Sequence, residues 1–228
     1  MFHVKQRKST ILLFVLIALP FLAFSQAMNQ VWLEKKEVLL SIPKDERIEN
    51  WDKQNHRLYA QLSKDGKEWL YWINYSRQNP QSFWANVITP YLRAYPILSK
   101  GGYALSLKRT LFKMQPLPLL TLDGRLIHTA QAHATDISEH NISPSHTSSN
   151  GDSFADRMNK AGIGAAAENI SVGNHAVVLS LILLYLDLDI PSLGHRKNLL
   201  NPSYTKIGIG TSFLSDGSLF TVQDFAKY

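Results

Sequence analysis

Lys206-Ile-Gly-Ile-Gly-Thr-Ser-Phe213 and Leu219-Phe-Thr-Val-Gln-Asp-Phe225 flank Ser215-Asp-Gly-Ser218, and this stretch decides the fold class. Both runs are rich in β-formers. Asp-Gly between two such runs is a strong short-range hairpin signal. The alternate glycines, Gly208 and Gly210, leave one face of the first strand bare, so another backbone is expected to approach there. The loop bearing His195 is the expected neighbour.

Upstream the period changes to that of helices. Glu68-Trp-Leu-Tyr-Trp-Ile-Asn-Tyr75 sets Trp69, Trp72, Ile73 and Ser76 on one helical face, and Asn79-Pro80 ends that helix. A second helix is expected from Gln81 to Tyr91, and an extended connector over residues 111–122, which Pro116 and Pro118 break. Asp123 reads as an N-cap. Beyond it Leu126, Ala130, His133, Ala134 and Ile137 form one apolar stripe ending near Asn141. A third helix is expected from about Asp152 to a stop at Gly162, a buried fourth over 175–187, and a short one over Gly194–Leu200. Helices therefore precede strands in blocks, which is the signature of an α+β layer fold.

Composition bounds the rest. The 228 residues are 45% hydrophobic and 18% charged, a globular make-up. With no cysteine, disulfides, Cys-ligated zinc and Cys nucleophiles are excluded. Lys5, Arg7 and Lys8 precede the uncharged run Ile11–Phe24, and Ser25-Gln-Ala27 follows it. Basic, apolar, then small is the order of a secretory signal over residues 1–27. Residues 28–66 alternate in charge and read as an N-terminal extension of unassigned role. The formal net charge of +6 falls to about +3 without the leader, so no basic stripe stands out and no nucleic-acid partner is expected.

Three groups carry the candidate chemistry: His146 in Ser143-Pro-Ser-His-Thr-Ser-Ser-Asn-Gly-Asp152, Glu168 in Ala167-Glu-Asn-Ile170, and His195 in Gly194-His-Arg-Lys-Asn198. Each is read as lying in a polar or glycine-bearing loop. Two imidazoles and a carboxylate can share a divalent metal, do acid–base work, or form a hydrogen-bonded knot that fixes loops. Spacing alone chooses none of these. No H-E-x-x-H helix, phosphate loop or G-x-S-x-G serine is present. His133 reads as a core-edge histidine, and His128 and His140 as surface residues.

Ile73-Asn-Tyr-Ser-Arg-Gln-Asn-Pro80, Ser145-His146, Gly151-Asp-Ser-Phe154, Arg157, Glu168-Asn-Ile170, Gly194-His-Arg-Lys-Asn-Leu-Leu-Asn-Pro202 and Gly208-Ile-Gly210 occur in one order. Together they resemble the CAP superfamily (cysteine-rich secretory protein, antigen 5, pathogenesis-related 1; the SCP domain), in its cysteine-free bacterial branch. The resemblance covers residues 67–228. It implies a three-layer α-β-α sandwich with a central antiparallel sheet, and a cleft tetrad of two histidines and two acids. His146, Glu168 and His195 match three of the four positions. The fourth falls on Asp187, with Asp189 as the alternative.

From this the chain is expected to be exported, secreted or periplasmic, with no membrane span once the leader is cleaved. The first expectation is a binding module whose cleft takes a lipid-like small molecule or a divalent metal such as zinc, held by His146 and His195. A metal-assisted hydrolase of an envelope or extracellular substrate is one alternative. A wall or partner-interaction module with an inert cleft is another.

Overall fold

The computed structural model describes residue 33 and residues 36–42, 44–174 and 176–228. The expected leader, 1–27, lies outside these. The N-terminal extension forms α1 (Glu46–Lys53) and α2 (His56–Gln61), each capped by a side chain, Asp45 and Asn55. It packs on the domain. Trp51 Nε1 donates to the Leu120 carbonyl, and Asn74 Nδ2 donates to both Asp52 and Leu120.

Next come α3 (Lys64–Gln78), capped by Ser63, and then α4 (Pro80–Phe83), a π-helical turn (Trp84–Ile88) and α5 (Thr89–Ala94). The expected helix over 81–91 is thus one run containing a bulge. Pro90 cannot donate and crowds the preceding turn, and Thr89 reaches back five residues to the Trp84 carbonyl through both its N–H and its Oγ1.

A 3-10 segment (Pro96–Gly102) leads into α6 (Tyr103–Lys113). This helix was not foreseen, and it shortens the expected connector to residues 114–120. Gly101 and Gly102, at φ +73° and +77°, turn the chain so that the helix can restart.

The sheet follows. The two-residue β1 (Thr121–Leu122) precedes α7 (Gly124–Glu139), which Asp123 caps through two backbone N–H groups. Then come α8 (Phe154–Lys160), with a Ser153/Asp156 capping box, β2 (Ala166–Gly173), α9 (Val177–Leu186), α10 (Gly194–Leu199), β3 (Lys206–Phe213) and β4 (Leu219–Ala226). The hairpin is β3–β4. Sheet order is β1-β3-β4-β2, antiparallel except that β1 runs parallel to β3.

One face of the sheet carries α7, through Ala130, Ala134 and Ile137 against Ile170, Phe220 and Val222. The other carries the larger core from α3 and α9 against Ile207, Ile209 and Phe225. The molecule is therefore an α+β, α-β-α sandwich on a mixed, mostly antiparallel sheet. The backbone that approaches the bare face of β3 belongs to α7, not to the His195 loop. A Cβ on Gly208 would lie 2.0 Å from the carbonyl carbon of Leu126, and one on Gly210 2.2 Å from that of Ala130. No helix among the described residues is long and apolar enough to cross a membrane.

Candidate functional site

Glu168 lies on β2, in register with Asp224 of β4, which is in turn in register with Gly208 of β3. The expected loop position is thus corrected. Ala167-Glu-Asn-Ile170 is a strand whose polar residues hid its period. Its side chain is almost wholly enclosed and takes two partners: His146 Nδ1 stands 2.7 Å from Oε1, and Arg157 Nη2 donates to Oε2 at 2.5 Å. Burial pushes the Glu168 carboxyl up, but the His146 hydrogen bond and the Arg157 charge outweigh it and hold the group below the usual range.

His146 sits in the irregular segment between α7 and α8, as expected. That segment is pinned by His133, whose ring nitrogens meet the Ser145 carbonyl at 2.8 Å and Ser148 Oγ at 3.0 Å. Arg157 adds a bond to the His146 carbonyl. Burial lowers the His133 pKa, so this imidazole is a neutral brace with two partners.

His195 occupies the first turn of α10, and its Nδ1 lies 2.5 Å from Asp187 Oδ1. Asp187 ends α9 in the left-handed conformation, at φ +50°, and its second oxygen accepts the Arg196 N–H. The Arg196 guanidinium gathers the carbonyls of Tyr185, Leu186 and Tyr103, and so fixes the corner that aims both groups. Asp187 rather than the exposed Asp189 holds the histidine.

An amide clamp joins the two His–acid pairs. Asn198 Nδ2 donates to the Glu168 carbonyl and to Asn169 Oδ1, while Asn169 Nδ2 donates to the His195 carbonyl. All four expected residues therefore belong to one connected polar network.

Four of its members have no role in the sequence reading: Arg157, Asn169, Asn198 and Asp224. Asp224 is fully buried, and Thr129 donates to its Oδ2. Burial, reinforced by the neighbouring Glu168 charge, drives its pKa well above the usual carboxylate range. One signal was readable. Phe220, Val222 and Asp224 alternate onto one strand face, so an acid stands where a core residue belongs.

The fit to a metal is limited. Among the described residues no group of three or more His, Cys, Asp or Glu side chains converges as a metal site. Both Nδ1 atoms are taken by carboxylates, which leaves one Nε2 on each ring.

A sandwich of this kind, with two acid-anchored imidazoles joined through its second strand, defines a CAP-type domain. The family model described as CAP, cysteine-rich secretory protein family, matches residues 70–225, and the chain belongs to that family. The uncharacterized protein YkwD of Bacillus subtilis (strain 168) is 33% identical over 115 residues, 50% of this chain and 42% of that protein. The chain thus spans less than half of that relative's length. Among solved structures, an extracellular SCP-domain protein of Bacillus anthracis shares 32% identity over 49% of this chain and 35% of its own, at a TM-score of 0.38. An outer surface protein of Borrelia burgdorferi shares 23% over 57% and 92%, at a TM-score of 0.41.

Proposed function

We propose that the protein is an exported CAP-domain binding module that takes a small ligand through the free Nε2 atoms of His146 and His195. One observation carries the reading. Each imidazole is fixed through Nδ1 by a buried carboxylate, which sets the tautomer and leaves Nε2 as the nitrogen available for binding, on a half-exposed ring at His146 and a buried one at His195. Export is supported by the basic–apolar–small N-terminus and by the B. anthracis relative, which is described as extracellular.

The same anchoring is the arrangement that orients histidines toward zinc. Two protein donors would leave the remaining positions to water or ligand, so His146 and His195 could hold an open zinc site but not a closed structural one. Ser148, whose hydroxyl partners an imidazole, that of the neutral brace His133, also accepts from Arg157. That pairing lacks an orienting acid, which favours binding over acyl transfer.

Calorimetry tests the reading, with zinc and with palmitate as probes, on the wild type, His146→Ala, His195→Ala, the double variant His146→Ala/His195→Ala and Glu168→Gln. Binding of either probe that is abolished in both histidine variants and weakened about 10–100-fold in Glu168→Gln supports it. Equal binding by the wild type and the double histidine variant refutes it, as does no binding of either probe.

A further inference from the structure

The net charge of +6 is unevenly distributed along the chain. Residues 69–122 contain no aspartate or glutamate but hold Arg77, Arg93, Lys100, Lys108, Arg109 and Lys113. Arg77 is buried against backbone carbonyls, and the other five are exposed. On α6, Leu105, Lys108, Arg109 and Phe112 recur at helical spacing and face solvent together, while Ala104, Leu107 and Leu111 fill the core side. Leu105 and Phe112 are each 52% exposed, and Ile97, on the 3-10 segment leading into α6, is 47% exposed. Lys108 Nζ stands 5.6 Å from the Phe112 ring centroid and 5.9 Å from that of Trp84, which brings the π-helical turn onto the same surface. Along the chain the flanking acids are Glu68 and Asp123, and Lys36 adds a further base where its Nζ donates to the Ala94 carbonyl.

Folding does not need this stripe, because α6 already buries its other side. Protruding apolar side chains set among bases, with no acid between them, match an anionic lipid surface. The charges are drawn to lipid phosphates, and the apolar groups leave water at the headgroup boundary. We propose that the α6 face, with Ile97, Leu105 and Phe112 as its apolar contacts, docks the protein on an anionic bilayer. A soluble polyanion would use the bases but would leave the three apolar side chains in water. α6 meets the His146/His195 network through Arg196, which donates to the Tyr103 carbonyl and Ser106 Oγ, but Ile97, Leu105 and Phe112 are not among its members, so variants of these side chains test the docking face apart from the histidine site.

Co-sedimentation of the full chain with phosphatidylcholine vesicles, with and without phosphatidylglycerol, tests the proposal. The wild type is compared with Leu105→Ser/Phe112→Ser and with Lys108→Gln/Arg109→Gln. All three chains share the apolar run Ile11–Phe24, so differences among them report the α6 face. Unchanged melting midpoints confirm that the variants fold.

The wild type should partition onto phosphatidylglycerol vesicles and lose binding as salt rises. At about 1 kcal/mol, or fivefold, per base near an anionic surface, the charge variant should bind about thirtyfold more weakly. The apolar variant should lose about tenfold or more. Failure of the wild type to bind these vesicles overturns the proposal. So does equal binding by all three chains to both lipids, which would assign attachment to the N-terminal run. Full retention by the apolar variant alongside loss in the charge variant also overturns it, in favour of a soluble polyanion.

Discussion

Gly208→Ala is the smallest change that tests how the site is mounted. The added Cβ would sit 2.0 Å from Leu126 C and 2.3 Å from Leu126 O and Ile127 N, all backbone, whereas ordinary contact begins near 3.4 Å. No rotamer can relieve this, so α7 must retreat by 3.4 − 2.0 = 1.4 Å at that point. A gap of 0.5–1 Å already forfeits roughly a quarter to a half of each dispersion contact. The helix that retreats carries Leu126, Ala130, Ala134 and Ile137, all fully buried. The loss should therefore reach the upper end of the overpacking range, about 3 kcal/mol or more. For a domain of this size that is a fall of about 6–12 °C in melting midpoint.

The site should respond too, because α7 also carries Thr129, bonded to Asp224, and His133, which pins the His146 segment. Calorimetric melting checks the magnitude. Gly164→Ala is the control, since a Cβ there meets nothing within 4 Å. A Gly208→Ala midpoint within about 2 °C of the wild type, against a shift of at least about 6 °C expected from the clash, would refute the close-approach argument.

Asp52 is buried, and burial raises its pKa from 3.8 to about 7. Its stabilising contribution is present below pH 3.8 and is lost as pH rises through about 7. Asp52→Asn keeps an acceptor for Asn74 and should gain stability from pH 4 upward, by at most about 4 kcal/mol beyond pH 7. Denaturation curves for the two chains that run parallel across pH 4–8 would exclude this. Glu168→Gln removes the counter-charge of buried Arg157 and should cost about 3–5 kcal/mol, while Arg157→Met/Glu168→Gln should cost less than the single change. Urea midpoints for the three chains check this, and a double variant less stable than the single one contradicts it. N-terminal sequencing of exported protein should begin between Gln26 and Asn29, and an intact Met1 in that fraction would overturn the leader reading.

Much of the fold was legible because its signals are local. Asp123 followed by the Leu126–Ile137 stripe, Gly162 at φ +66°, and Asp-Gly between two β-rich runs each act within a few residues. β2 and α6 were missed for the same reason. Glu168 and Asn169 interrupt the apolar period of one, and Gly101-Gly102 reads as a break although the chain restarts as a helix behind it. His146, Glu168 and His195 could be named from the resemblance to the CAP family, which left the fourth position to Asp187 with Asp189 as the alternative.

By itself, then, the sequence determined most of the helices, the hairpin, the Asp123 cap and the α+β class, since propensity and periodicity are properties of neighbours along the chain, while the resemblance to the CAP family singled out the residues worth examining. Tertiary structure decided the rest. It paired each histidine with its acid, set Arg157 on Glu168, put the buried Asp224 in register beside it, and brought α7 rather than the His195 loop against Gly208. It also gathered the bases of an acid-free segment around the exposed side chains of α6. These depend on strand register, helix rotation and burial, and only long-range packing sets the distances and solvent exclusion that give those groups their partners and charge.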